Sequence, residues 1–247
     1  REALDVKTFD VSKGKNSKYN RRKFTPSELQ KIWLSLQKLS LKHPFQAECY
    51  MLMMVCGRRQ TECLKITKKM IYLKGNSDNE FGMDNIIVLP STMTKNRQDS
   101  FITITEPVQF VLDRLEELYK RPKLTKYKWV PWLFPSTRSS PKSWLVDGQI
   151  NQEYINSRRT RLPDTRECWT SLIDDTGLRN IVPRMMRKTY ASMSVKRLKT
   201  SATARKLTGH IKASTLDIHY DIHNQEQIKG YADQVAETFD FTQKTKH

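Results

Sequence analysis

The sequence predicts an α+β fold, mainly α-helical, with one small three-stranded antiparallel sheet. Two observations carry this. Apolar residues recur at helical spacing in long segments, Leu29, Ile32, Trp33, Leu36 and Leu39 forming the first stripe and Ile228, Tyr231, Ala232, Val235, Ala236 and Phe239 the last. Between residues 70 and 105 the pattern changes. Met70-Ile71-Tyr72-Leu73, Asn85-Ile86-Ile87-Val88-Leu89 and Ser100-Phe101-Ile102-Thr103-Ile104-Thr105 are short runs that read as strands. A chain of 247 residues, 37% of them hydrophobic, can bury a core, and 8 Gly and 10 Pro are too few for a low-complexity chain.

Taken in order, residues 1–24 are polar and hold eight Lys or Arg. They read as a basic arm or linker crossing a DNA backbone, or as a solvated lead-in. Folded structure should begin at Phe24-Thr25-Pro26-Ser27-Glu28, where Thr25 is an N-cap, Pro26 fits the first helical position and Glu28 completes a capping box. That helix runs to about Leu39, and His43-Pro44 breaks the chain. A second helix, Phe45 to Cys56, is apolar nearly all round and so should be buried, with Gly57 ending it. A short helix to about Ile66 leads into the strands, and Met93-Thr94-Lys95-Asn96-Arg97-Gln98-Asp99 forms a basic hairpin tip between the second and third. Pro107 opens a helix through about Tyr119, with Val108, Val111, Leu112 and Leu115 inward. Residues 120–148 look irregular, with Leu133-Phe134-Pro135 as a buried anchor. Helices are expected from about Asn151 to Arg159, from Arg166 to Asp174, from Pro183 to about Lys196, from Thr200 to Leu207 and from Gln225 to Phe239.

Basic residues number 44 against 26 acidic, a formal net charge of +18. Such a surplus favours a polyanion partner, nucleic acid first, because neutralised phosphates release counterions. No run of about 18 apolar residues occurs, so no membrane span is expected, and no signal peptide is expected either. The chain opens on Arg1 and not on Met, which reads as a fragment lacking an N-terminal part. Cys49, Cys56, Cys63 and Cys168 include no C-x-x-C pair, which argues against zinc. They read as small buried side chains in a reducing, intracellular compartment.

Four short motifs stand in order. They are Gly57-Arg58-Arg59-Gln60-Thr61-Glu62, then Arg184-Met185-Met186-Arg187-Lys188-Thr189-Tyr190-Ala191-Ser192, then Leu207-Thr208-Gly209-His210, then Tyr220. The first resembles the G-x-R-x-x-E box of the tyrosine recombinase (phage integrase-like) family, with Arg59 as its arginine. The second resembles that family's H-x-x-R box, the third its L-G-H box, and Tyr220 its nucleophile. Lys95 matches the family's β-hairpin lysine. The resemblance spans about residues 25–225 and implies a catalytic domain over 25–247. It departs from the family at two places. Arg184 stands where the family usually has His, and ten residues separate His210 from Tyr220 where nine is commoner. The longer interval predicts a one-residue bulge and makes His219 worth testing beside Tyr220.

The resemblance implies double-stranded DNA as partner, self-assembly as dimer or tetramer on it, and no cofactor or metal. The chemistry fits the residue types. A phosphodiester repels nucleophiles, so fixed cations and donors must stabilise the transition state. Arg59 and Arg187 can each grip a phosphate in a planar fork, and Arg184 and His210 add donors. Tyr220 would attack to give a 3′-phosphotyrosine, and Lys95 would protonate the departing 5′ oxygen. Unpaired arginines beside a buried helix are costly unless an anion arrives, whereas a lone Arg59 is more often a salt bridge to Glu62. A hairpin telomere resolvase and a type IB topoisomerase share this logic, and a DNA-binding accessory protein with an inactive site is the non-enzymatic alternative. The last helix can pack on its own domain, or, as the resemblance implies, dock on a neighbouring protomer.

Overall fold

The computed structural model describes residues 22–73, 84–95, 97–138, 145–146, 149–157, 160–199, 207 and 225–238. Helix α1 (Pro26–Leu39) starts as expected from its capping box. The Thr25 hydroxyl accepts from the Glu28 N–H at 3.2 Å, and the Thr25 N–H donates to the Glu28 carboxylate at 2.9 Å. Just before it, Phe24 is buried and its N–H donates to the Thr189 hydroxyl at 2.9 Å.

Helix α2 (Pro44–Cys56) is the centre of the molecule. All of it is buried except Pro44 and Gln46, and α1, α4 and α7 pack around it, which is what a helix apolar on every side requires. It begins at Pro44, one residue earlier than expected, because proline fits a first helical position where no N–H is needed. Its charged member, Glu48, is held by a fork of hydrogen bonds from Arg114 at 2.8 and 3.1 Å. After α2 come a one-turn helix α3 (Gln60–Cys63) and a short 3-10 turn over Lys68–Met70.

Strands β1 (Ile71–Tyr72), β2 (Ile86–Leu89) and β3 (Ser100–Thr103) form the expected three-stranded antiparallel sheet in the order β1-β2-β3. The register pairs Ile87 with Ile71 and Ile102, and Leu89 with Ser100. Alternation sends Ile87, Leu89 and Ile102 into the main core, while Ile86 and Val88 pack on the other face with Tyr72 and Phe101. β1 is shorter than predicted because Met70 belongs to the 3-10 turn, and β3 stops at Thr103 because Thr105 already caps the next helix.

Helix α4 (Glu106–Lys120) turns Val108, Val111, Leu112 and Leu115 inward as its spacing demands. The stretch after it is not wholly irregular. Residues Thr125–Trp129 form a 3-10 turn whose carbonyl end is capped by the Lys68 ammonium, with Lys128 O at 2.7 Å and Val130 O at 2.8 Å. Phe134 is fully buried, and Leu133 and Phe134 pair by backbone with Ile66 and Leu162. Two-residue strands β4 (Leu145–Val146) and β5 (Gln149–Ile150) were not expected, and helix α5 (Gln152–Asn156) is shorter than its predicted span.

Helix α6 (Arg166–Thr176) ends at Gly177 in the left-handed region, and α7 (Arg184–Leu198) follows Pro183. The last helix, α8 (Gln225–Glu237), lies against α7, α4 and β3 of its own chain, with Ala232 and Val235 fully covered. An Arg197–Glu237 ion pair at 2.7 Å tethers its end. All four cysteines are buried and free, as expected. The predicted helix over Thr200–Leu207 lies outside the described residues except for Leu207, which is buried.

Candidate active site

The site is built where α2 stops. Gly57 takes a left-handed conformation, φ 65° and ψ 17°, and its N–H caps Met53 O at 3.0 Å. Glycine is required there for a second reason. A Cβ on Gly57 would stand 2.3 Å from Cδ1 of Tyr190 on α7. The Tyr190 ring is buried. This close approach brings the end of α2 against the first half of α7. There the Arg187 guanidinium, itself buried, donates to Gly57 O at 3.0 Å.

The turn at Gly57 sends two adjacent arginines in different directions. Arg58 is buried, donating through Nη1 to the Ser100 hydroxyl at 2.6 Å and through Nη2 to the Phe101 carbonyl. Arg59 caps α3 in extended geometry and is half-buried. Its Nη1 donates to Glu62 Oε1 at 2.6 Å, and its backbone N–H donates to Glu62 Oε2 at 3.1 Å. Arg187 Nη1 lies 3.9 Å from that same Oε2. Glu62, only 3% exposed, therefore sits between Arg59 and Arg187 and fixes their relation.

This corrects the expectation of unpaired arginines. Each is held by Glu62, and a single carboxylate facing three guanidiniums still leaves positive charge in surplus. Burial first, and then the neighbouring Arg59 charge, pull the Arg187 pKa down to about 10. It stays protonated at neutral pH, yet an added anion would be favourable there. Arg58 is likewise pulled down by burial, with Glu62 acting in the opposite sense.

Arg184 is exposed on the first turn of α7, three residues before Arg187 and on the same side of the helix. The positive end of the helix dipole adds to both. Lys188, one turn further, has its pKa lowered by burial and by Arg184. Lys95 is exposed on the tip of the β2–β3 hairpin. The tip is internally tied, the Thr94 hydroxyl donating to Gln98 O at 2.7 Å and Ser91 N–H to the Asp99 carboxylate at 2.6 Å. Of the six predicted site residues, Arg59 and Arg187 are brought together, with Arg184 a helical turn away and Lys95 on the adjoining hairpin. His210 and Tyr220, with His219, lie outside the described residues.

Two participants were not assigned a task in the sequence. Glu62 was visible only as a partner for Arg59, and Arg58 only as a filler in its motif. The signal for Arg58 was an arginine immediately after a helix buried on every side.

No protein-family model and no curated protein matches the sequence. Two solved structures are similar in fold. One is the XerH site-specific recombinase bound to its difH substrate, a pre-cleavage complex, with a TM-score of 0.50 and 12% identity over 83% of this chain and 51% of that one. The other is the Tn1549 transposon integrase in complex with circular intermediate DNA, with a TM-score of 0.49 and 12% identity over 90% of this chain and 69% of that one. The chain thus spans about half the length of the XerH chain. With its helices packed about α2 and its three-stranded antiparallel sheet, the protein has a tyrosine recombinase/integrase-like fold.

Proposed function

We propose that the protein is a site-specific recombinase or integrase that breaks and rejoins DNA strands through a 3′-phosphotyrosine on Tyr220. The observation that carries this is the cluster of Arg59, Arg187 and Glu62 between the end of α2 and the start of α7, in a fold shared with a site-specific recombinase bound to its substrate. Arg59 and Arg187 bind the non-bridging oxygens of the scissile phosphate, with Arg184 and His210 as further donors. The Tyr220 hydroxyl gives its proton to solvent water as it attacks phosphorus. The 5′ oxygen leaves with a proton from Lys95, giving a free 5′-hydroxyl. The phosphotyrosyl bond conserves the energy of the broken one, so a 5′-hydroxyl from the same or another strand reseals it. The chemistry calls for no cofactor and no metal. Dimers or tetramers on double-stranded DNA, with α8 released to a neighbour, would couple the sites.

The test is covalent capture. Nicked duplexes carrying randomised sequence are incubated with the protein, and adducts are resolved on denaturing gels and mapped by peptide sequencing. The wild type is expected to give an adduct at Tyr220, and Tyr220→Phe none. An adduct that survives Tyr220→Phe but not His219→Ala would move the nucleophile's neighbourhood by one residue. DNA binding without any adduct would leave an accessory DNA-binding protein. Because Arg184 stands at the usual His position, a supercoiled plasmid is the second substrate. Site-independent relaxation would favour a type IB topoisomerase, and closed hairpin ends a telomere resolvase.

A further inference from the structure

From the contacts of Arg58 we infer that this residue is a positioning residue, a clamp on the base of the β2–β3 hairpin that sets the Lys95 tip against the Arg59 site. The inference rests on the proposed strand-cleavage reading for its purpose, but not for its geometry.

Arg58 is 2% exposed, and its guanidinium donates to the Ser100 hydroxyl and the Phe101 carbonyl, both on β3. Ser100 and Phe101 are the first two residues of that strand. Leu89 opposite Ser100 is the last rung of the ladder before the tip. The clamp therefore grips the hinge at which the ordered sheet gives way to the turn carrying Lys95. A backbone step away, Arg59 is fixed by Glu62. One dipeptide thus links the groups that would hold the phosphate to the group that would protonate its leaving oxygen.

The chemistry of the clamp is also unlike that of a filler. Burial lowers the Arg58 pKa, and its Nε has no hydrogen-bond partner among the described residues. A buried guanidinium bonded to a hydroxyl and a carbonyl is an expensive way to occupy volume that methionine could fill. What it supplies is direction, because a planar fork holds two acceptors in fixed relation while lysine offers a single point charge. Small misplacements of a general acid are costly, on the order of 100-fold for about 1 Å.

Two measurements on the full chain test this. Hydrogen–deuterium exchange is first compared for wild type, Arg58→Met and Arg58→Lys without DNA. The peptides spanning residues 90–103 are expected to exchange about 10-fold faster or more in Arg58→Met, with α1 and α6 unchanged. Arg58→Lys should restore protection only in part. Unchanged hairpin exchange in Arg58→Met overturns the clamp. If all peptides accelerate together, the variant is globally loosened. Ser100→Ala, which removes one acceptor and leaves the arginine, then decides by whether the hairpin alone responds. The second measurement uses a cleavage site recovered by covalent capture, made with either an ordinary phosphodiester or a 5′-bridging phosphorothiolate, whose thiolate leaves without a proton. Arg58→Met and Lys95→Ala should both lose about 100-fold in adduct formation on the phosphodiester and recover to within a few-fold of wild type on the phosphorothiolate. An Arg58→Met loss that is equal on the two substrates overturns the link to Lys95. If the wild type forms no adduct at all, it is the strand-cleavage reading that fails, and the exchange result alone upholds or overturns the clamp.

Discussion

Gly57 is the residue on which the geometry of the site turns. Its left-handed φ ends α2, and its bare Cα lets Tyr190 approach where a Cβ would collide. Alanine there meets both penalties, a left-handed backbone and an overpacked contact, which together come to about 2–4 kcal/mol. Urea unfolding of Gly57→Ala should show that loss. The Gly57→Ala/Tyr190→Leu double variant should lose less than the sum of the two single changes, since the clash is shared. Strict additivity would mean that Tyr190 yields freely. Arg187 makes a different kind of prediction. Its guanidinium bridges Gly57 O and Glu62, so it is already held in the protein alone. Arg187→Ala should reduce adduct formation by about 100–1000-fold, the scale of one lost transition-state donor, while lowering affinity for the same duplex by only a few-fold. Equal losses in gel shift and adduct assays would make Arg187 a phosphate anchor alone.

Among the elements, α2 carries the most consequence, and the Glu48–Arg114 fork is its tie to α4. Burial raises the Glu48 pKa above its ordinary 4.5, and Arg114 offsets this only in part. The folded carboxyl then holds its proton more readily than the unfolded one. Stability from this group is present below about 4.5 and is lost as pH rises through the window up to the raised value. The stability of wild type relative to Glu48→Gln, measured by urea unfolding, should therefore decline from pH 4 to pH 7. A difference that grows with pH would mean that the Arg114 fork outweighs burial. The elements also show which features a sequence displays. The α1 capping box, the buried run of α2, β2 with β3 and the α8 stripe are local patterns, and each was legible. The β4–β5 pair was not, because two-residue strands carry no period. The carboxylate shared by Arg59 and Arg187 was not, because Glu62 and Arg187 are far apart in sequence and meet only through packing. Arg58 and Arg59 are neighbours that differ in task because the backbone turns at Gly57, and a motif written in letters hides that turn. Of the two uses open to the α8 stripe, the single chain shows packing on its own domain, where α8 lies against α7, α4 and β3 with Ala232 and Val235 buried.

For the whole molecule, charge is the property with the longest reach. The surplus is +18, and α7, which borders the site, carries Arg184, Arg187, Lys188, Lys196 and Arg197 and no acidic residue. At the other end of the chain Arg22 and Lys23 bond to Arg179 O and the Ser192 hydroxyl, so the close of the basic N-terminal stretch runs beside the same helix. Residues 1–21 add six Lys or Arg. If these meet DNA phosphates, deleting 1–21 should reduce the slope of log affinity against log salt by up to about 5, at roughly 0.9 for each phosphate contact. If they are a solvated lead-in, the slope should not move. Binding of a random-sequence duplex, titrated between 50 and 200 mM salt in the usual range for such plots, separates the two readings. The deletion leaves Arg59, Lys95, Arg184, Arg187, His210 and Tyr220 in the chain, so covalent capture should persist at low salt, where the lost contacts matter least. A deletion variant that binds well at low salt yet forms no adduct would mean that the arm does more than hold DNA, and would place part of the site's assembly in those first residues.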